Sequence, residues 1–335
     1  MKLGNRIFIL TLIFFTFYAC DDNPLDVELK EELVHLEVVD VDSSIINTPD
    51  SELLAVHNRL KESLGEAYLY EASMNTQHPD NDELPFVLKR FYESESIESL
   101  EKQKALISEE VSNQILKLEK AFSFMNFHFP ESSIPDKLVF MNNLFSGIQC
   151  TDSSIFVGLE RYVDGESEIV KSIPNDQLYQ WQKDAMDVSF LARDIIQQWI
   201  QVNLFDERDE HLAYHTVQAG KVLYILQAAF PNENEAFLMR YTADEIEWAN
   251  ENEIPFWEYL VREEMLFENN VRDKSNFLNE GPYTVGLPEK GPARLGQFLG
   301  MKMVKQFMKA NKALSLQELL KIEYNTILQA YEIGN

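Results

Sequence analysis

His211 and His215, four residues apart, are the side chains whose type and spacing come nearest to a metal site. On a helix such a pair shares one face, and two imidazoles so placed can hold zinc. A peptidase of the zincin kind also needs a glutamate directly after the first histidine, to take a proton from the metal-bound water. Leu212 stands there, and no third ligand follows at a recognisable offset, so the pair reads as a polar helix rim beside Asp209 and Glu210. Cys150 lies in a stretch with neither a histidine nor a cation to generate a thiolate, and is expected to act as a buried small apolar residue. Val163-Asp164-Gly165-Glu166 is too short for a calcium loop and reads as a turn. No nucleophile elbow, phosphate-binding loop or dinucleotide-binding glycine pattern occurs. With 56 Asp and Glu in the chain, any pair of carboxylates is uninformative, and solvated faces are the expectation.

The elements that must position these residues are mostly helices. Thr48-Pro49-Asp50 is a helix-start signal, and residues 50–125 read helical apart from a loop near Asn75–Pro85. The run Val34–Val41 and the segments beginning at Lys137 and Ser154 are rich in β-branched and aromatic residues, giving a few strands of one sheet. From Asp184 onward the chain is helical. Val188, Leu191, Ile195, Trp199 and Val202 mark one amphipathic face, and Leu212, Ala219, Leu223, Leu226 and Phe230 mark another, which Pro231 ends. Thr242–Glu245 and Ser315–Glu318 have the form of capping boxes. Gly296 and Gly300 predict close packing of their helix on a neighbour. The fold class expected is α+β, mainly helical, with a small sheet packed by many helices.

A net charge of −27 argues against nucleic acid as a partner, because binding phosphates needs a basic surface. Lys2 and Arg6 precede the uncharged stretch Ile7–Tyr18, which is too short to span a bilayer comfortably and ends at Ala19-Cys20. This is the layout of a bacterial lipoprotein signal. Residues 1–19 are expected to be removed and Cys20 to be lipidated, two acyl groups giving a stable anchor where one is marginal. Loss of Lys2 and Arg6 takes the net charge to −29. Residues 20–33 then form an acidic tether, and residues 34–335 a single globular domain.

Three stretches together resemble the gliding motility lipoprotein GldB family. The first is Ser154-Ile-Phe-Val-Gly-Leu-Glu-Arg-Tyr-Val-Asp-Gly, with Glu160 where the family pattern has Asp and Asp164 where it has Leu. The second runs from Gly220-Lys-Val-Leu-Tyr224 through Pro231 to Tyr241-Thr242, Trp248, Asn252-Glu253 and Trp257. The third is Gly291-Pro-Ala-Arg-Leu-Gly-Gln-Phe-Leu-Gly300, with Gly291 for Ser, Ala293 for Gly and Phe298 for Trp. The resemblance implies a part in the gliding of bacteria over surfaces, with components of the gliding and protein-secretion machinery as partners and the cell envelope as location. It supplies no biochemical activity and calls for no cofactor.

A remoter likeness is to predicted zinc peptidases of the zincin type. It places their metal-binding segment on Arg193-Asp194-Ile195-Ile196-Gln197 and their downstream glutamate on Ala219 before Gly220. Both histidine ligands and the glutamate ligand are then missing, which implies a degenerate zincin-like scaffold that does not cut peptides. On that mapping Arg193, Asp194 and Gln197 are expected beside the sheet and near Gly220, with Arg193 repelling a divalent cation.

The leading expectation is therefore a non-catalytic, lipid-anchored envelope component that works through protein contacts, with no catalytic or metal residue. Two alternatives stand beside it. One is an envelope zinc metallopeptidase using His211, His215 and a distant acid. The other is a ligand-binding lipoprotein with a pocket lined by Trp181, Trp199, Trp248 or Trp257, although core packing is the expected role of these tryptophans.

Overall fold

The computed structural model describes residues 25, 27–29, 33–206, 208–287 and 291–334. The leader (1–19) and Cys20 lie outside the described residues. Strand β1 (Glu37–Asp40) leads into α1 (Val41–Ile46), α2 (Asp50–Thr76), α3 (Leu84–Tyr92), α4 (Glu95–Leu106) and α5 (Ser108–His128). Strands β2 (Lys137–Phe140), β3 (Ile148–Cys150) and β4 (Ser154–Val157) follow, then a 3₁₀ turn at Leu159–Tyr162, α6 (Glu168–Ser172) and α7 (Gln180–Asp184). After a second 3₁₀ turn, Val188–Phe190, come α8 (Leu191–Leu204), α9 (Leu212–Ala229), α10 (Glu235–Met239), α11 (Ala243–Glu251) and α12 (Glu253–Arg262). A 3₁₀ turn at Met265–Phe267 precedes α13 (Val271–Leu278), α14 (Leu295–Ala310), α15 (Leu316–Lys321) and α16 (Tyr324–Ala330). The mainly helical α+β class expected from the sequence is the one found.

The four strands form one sheet in the order β1-β2-β4-β3, with β1, β2 and β4 parallel and β3 antiparallel to β4. Both faces are covered, which explains why β4 reads as a continuous apolar run rather than an alternating one. Successive side chains of a strand point to opposite faces. Val139 and Phe156 therefore join a core built on α1–α4, with Val41, Leu53, Leu84 and Tyr92. Leu138, Phe140, Ile155 and Val157 point the other way into a larger core with α5, α8, α9 and α14. Of the segment 20–33, Leu25, Val27 and Leu29 also pack against this larger core.

Helix α9 is the centre of that second layer, touching α5, α8, α14 and α16. Leu212, Val217, Leu223, Ile225 and Leu226 are all at most 1% exposed, as a helix apolar on every side must be. Gly220 of α9 faces Gly300 of α14, backbone to backbone, and Gly296 lies against the main chain of Phe277. The close packing expected of Gly296 and Gly300 is present.

Both capping boxes form as read, at Thr242–Glu245 and Ser315–Glu318. Three details differ. Pro85 belongs to the first turn of α3 rather than to a loop, since its missing N–H would be unpaired there anyway. Val202 is 52% exposed, off the face by which Trp199, Ile200 and Leu204 meet the larger core. Helix α2 is broken at Gly65 (φ 64, ψ −148), a conformation that a residue with a Cβ rarely adopts.

Candidate functional site

A cleft of about 600 Å³ opens where the turn after β4 meets the N-terminal ends of α8, α11 and α14. Arg161 and Tyr162 come from that turn, Trp181 from α7, and Phe190 from the turn before α8. Arg240 ends α10 and Tyr241-Thr242 caps α11, while Arg294 stands directly before α14. Arg240 and Arg294 both hold left-handed backbone, at φ 50 and φ 64. For a residue other than glycine this costs on the order of 1 kcal/mol or more, and such residues gather at functional sites. The cleft unites the three stretches that carry the family resemblance, bringing Tyr162, Tyr241-Thr242 and Arg294 to one surface. Tyr241 donates its hydroxyl to the Ala293 carbonyl, and Arg294 donates to the Arg240 carbonyl at 3.3 Å, tying the second stretch to the third.

At the inner end lies Asp194. Its Oδ1 accepts from Arg193 at 2.8 Å, and its Oδ2 accepts from Arg240 at 2.6 Å and from the Tyr162 hydroxyl at 3.1 Å. Arg193 is 3% exposed and also donates from Nε to the Leu238 carbonyl at 3.1 Å. Burial lowers the Arg193 pKa to about 10, an effect that the adjacent Asp194 opposes, and the guanidinium stays charged at neutral pH. Burial, then Asp194, raise the Tyr162 hydroxyl well above its ordinary value, so it remains a donor.

Arg193 and Asp194 thus lie on a helix that packs on β3 and on α9. The nearest neighbours of Gly220 are backbone atoms of Gly300, whereas Arg193 and Asp194 bond to Leu238, Arg240 and Tyr162. Zinc does not fit this arrangement: Asp194 already serves two guanidiniums and a phenol, and Arg193 puts a fixed positive charge where a ligand would have to be.

His211 and His215 do not share a helix face in the way their spacing suggests. His211 is the N-cap of α9, with extended backbone (φ −75, ψ 170), and its Nδ1 accepts from the Tyr214 N–H at 3.3 Å. Its Nε2 lies 3.1 Å from the Tyr324 hydroxyl, and Phe267 and Tyr324 pack edge-on against the ring. His215 is held below the ordinary histidine pKa, by burial first and Lys274 second. Among the described residues no group of three or more His, Cys, Asp and Glu is placed to hold a metal ion. Cys150 is half-buried, packs on the larger core and has its thiol pushed up to about 12 by burial, the opposite of a reactive cysteine.

The tryptophans divide. Trp199 is core, edge-on to Phe122, and Trp257 stands edge-on to Tyr331. Trp181 lines the main cleft, and Trp248 lines a smaller one of about 340 Å³.

The expectation that carboxylates lie on solvated faces fails at Asp42, Glu71, Glu119 and Glu160, all buried, and at the largely enclosed Asp194. Asp42 is fully buried, accepts the Asn142 N–H on both oxygens at 3.0 Å, and pairs with Lys104 at 2.6 Å. Glu160 is fully buried too, and its Oε1 accepts from the N–H groups of Asn143 (2.8 Å) and Phe145 (3.1 Å). These acids pin the loop after β2, where Leu144 and Phe145 have left-handed backbone.

The class defined by this geometry is a helical α+β protein with a doubly covered small sheet and an arginine-lined cleft at its edge. A family model described as gliding motility protein GldB matches residues 22–332, and the chain belongs to that family. No curated protein and no solved structure matches it. Among the described residues no helix is long and apolar enough to cross a membrane.

Proposed function

We propose that the protein is a lipid-anchored component of the bacterial gliding apparatus, held in the cell envelope by Cys20 and working through contacts with gliding and secretion machinery rather than by catalysis. The observation that carries this reading is the family match over residues 22–332. Two features support the non-catalytic part. The segment that would hold zinc in a peptidase is occupied by the buried Arg193–Asp194–Arg240 network. His211 meanwhile has both ring nitrogens engaged by Tyr214 and Tyr324.

The test is genetic. Deletion in a gliding host is expected to abolish surface spreading and single-cell movement. Complementation with the unaltered gene restores both, whereas Cys20→Ala restores neither and leaves the protein outside the membrane fraction. His215→Ala is expected to complement fully. Normal movement after deletion overturns the gliding assignment, and loss of complementation by His215→Ala at normal protein level overturns the non-catalytic one.

A further inference from the structure

The contact surface that this reading calls for is not yet placed, and the arginine-lined cleft offers one. In a protein with 56 acidic and 29 basic residues, three arginines line this single opening. Arg240 is committed to Asp194 and lies 4.6 Å over the Phe190 ring. Arg161 and Arg294 have no carboxylate partner among the described residues, and the buried Nε of Arg294 has no hydrogen-bond partner. Asp184, Asp187 and Glu280 are exposed, while the three arginines and Glu245, which accepts the Thr242 N–H in the cap of α11, are only partly exposed, so the interior carries three cations against one acid beneath an acidic rim.

A notch of about 160 Å³ continues from the cleft, sharing Arg161, Tyr162, Arg240 and Glu280 with it. Along α8 it is lined by Gln197, Gln198 and Gln201, and the buried Oε1 of Gln197 has no hydrogen-bond partner. Carboxamides both donate and accept, which matches the alternating N–H and C=O groups of an extended backbone. A guanidinium presents a planar fork that fits a carboxylate or a phosphate. Charge alone does not choose, because the arginines attract and the acidic rim repels a dianion in the same proportion; the glutamine-lined notch favours a peptide, whose own carboxylate supplies the anion. The cleft, at about 600 Å³, lies within the range of about 300–1,000 Å³ usual for ligand sites.

The geometry points to a binding site for an extended peptide segment bearing a carboxylate, with that group on Arg161 and Arg294 and the backbone along the glutamine-lined notch. The carboxylate comes from a polypeptide C-terminus or from an acidic side chain. This assignment rests on the protein-contact reading for its biological sense but not for its chemistry.

The full-length protein in detergent is exposed to random-sequence hexapeptide pools: free-acid without acidic side chains, amidated without them, amidated with one Glu, and amidated with one phosphoserine. Retained peptides are identified by mass spectrometry and resynthesised for affinity measurement. The free-acid or the Glu pool is expected to be retained over the neutral amidated pool, and which one wins identifies the source of the carboxylate. Arg161→Gln should weaken the winner by about tenfold or more, and Arg161→Lys by less. Arg161 has no ion-pair partner among the described residues, so a retained melting temperature in Arg161→Gln separates lost binding from lost folding. Arg294→Gln gives the second arm, read in the same way. Equal retention of all pools, retention of none, preference for the phosphoserine pool, or full affinity in both arginine variants overturns the site. Each outcome is read without reference to gliding, so the site can fail while the gliding assignment stands, and the reverse.

Discussion

Gly220 and Gly300 place two helix backbones in direct contact: a methyl group built on Gly220 would stand 2.1 Å from the Gly300 carbonyl oxygen. From the other side, a methyl on Gly300 would stand 1.9 Å from the Thr216 carbonyl oxygen. Backbone atoms cannot swing aside as a side chain would, so the helices themselves must separate. Gly220→Ala and Gly300→Ala are each expected to destabilise the fold by about 3 kcal/mol, the upper end of ordinary overpacking. Thermal unfolding of the two variants checks this, and an unshifted midpoint in either would contradict the contact.

Asp194 is the counterion for a nearly buried guanidinium, and its removal strands Arg193. Asp194→Ala is expected to cost about 3–5 kcal/mol, the usual penalty for breaking a buried pair from one side. Adding Arg193→Met should recover part of the loss, since an apolar residue there needs no counterion. Urea unfolding of the single and double variants gives the comparison.

Glu160 makes stability depend on pH with a definite sign. Burial raises its pKa, although Lys104 and the N–H groups of Asn143 and Phe145 pull the other way. The folded state therefore holds the proton more tightly than the unfolded state. Its contribution is full below the ordinary carboxylate range and is lost as pH rises through the raised value. Glu71 shifts in the same direction, by burial first and Glu160 second. Glu160→Gln keeps the acceptor oxygen but cannot ionise. Its stability relative to the unaltered protein should rise with pH above about 4.5, by up to about 1.4 kcal/mol per pH unit, over the range in which the folded acid still keeps its proton. A difference that stays constant over that range would mean that Glu160 ionises as an exposed acid does.

Ser315 caps α15, accepting from the Glu318 N–H at 3.2 Å while Glu318 Oε2 accepts from the Ser315 N–H at 2.8 Å. Ser315→Ala should cost about 1 kcal/mol, as the loss of an N-cap commonly does. The cap lies outside the cleft lining, so peptide affinity should be unchanged, which makes this variant a control for destabilisation alone.

Signals local in the sequence were legible. The capping boxes, the apolar period of α8 and α9 and the β-branched stretches each depend on residues within a turn or two of one another. The cleft was not, because its walls come from positions as far apart as Phe145 and Arg294. Its parts were visible only as resemblance: Tyr162, Tyr241 and Arg294 were each within a family stretch, but nothing in their spacing says that they meet. The enclosed acids are hidden in the sequence for a related reason. Asp42, Glu160 and Asp194 look like any of the other carboxylates until Lys104, the loop amides and two arginines are seen to converge on them. His211 failed in the opposite direction, since the i,i+4 rule assumes a helix that in fact starts one residue later.

Leu25, Val27 and Leu29 lie against the larger core, which bears on how far an acylated Cys20 would let the body travel. Five peptide steps separate Cys20 from Leu25, and a fully extended backbone spans at most about 3.6 Å per step. The mooring line is then no longer than about 18 Å, well short of the diameter of the folded body. A body anchored in this way would swivel and drift in the plane of the bilayer without reaching outward, and its height above the lipid would be nearly fixed. On the function proposed above, a partner in the gliding machinery would have to present its docking segment within that thin layer, and lengthening the line by a few dozen flexible residues should weaken the encounter without touching either surface.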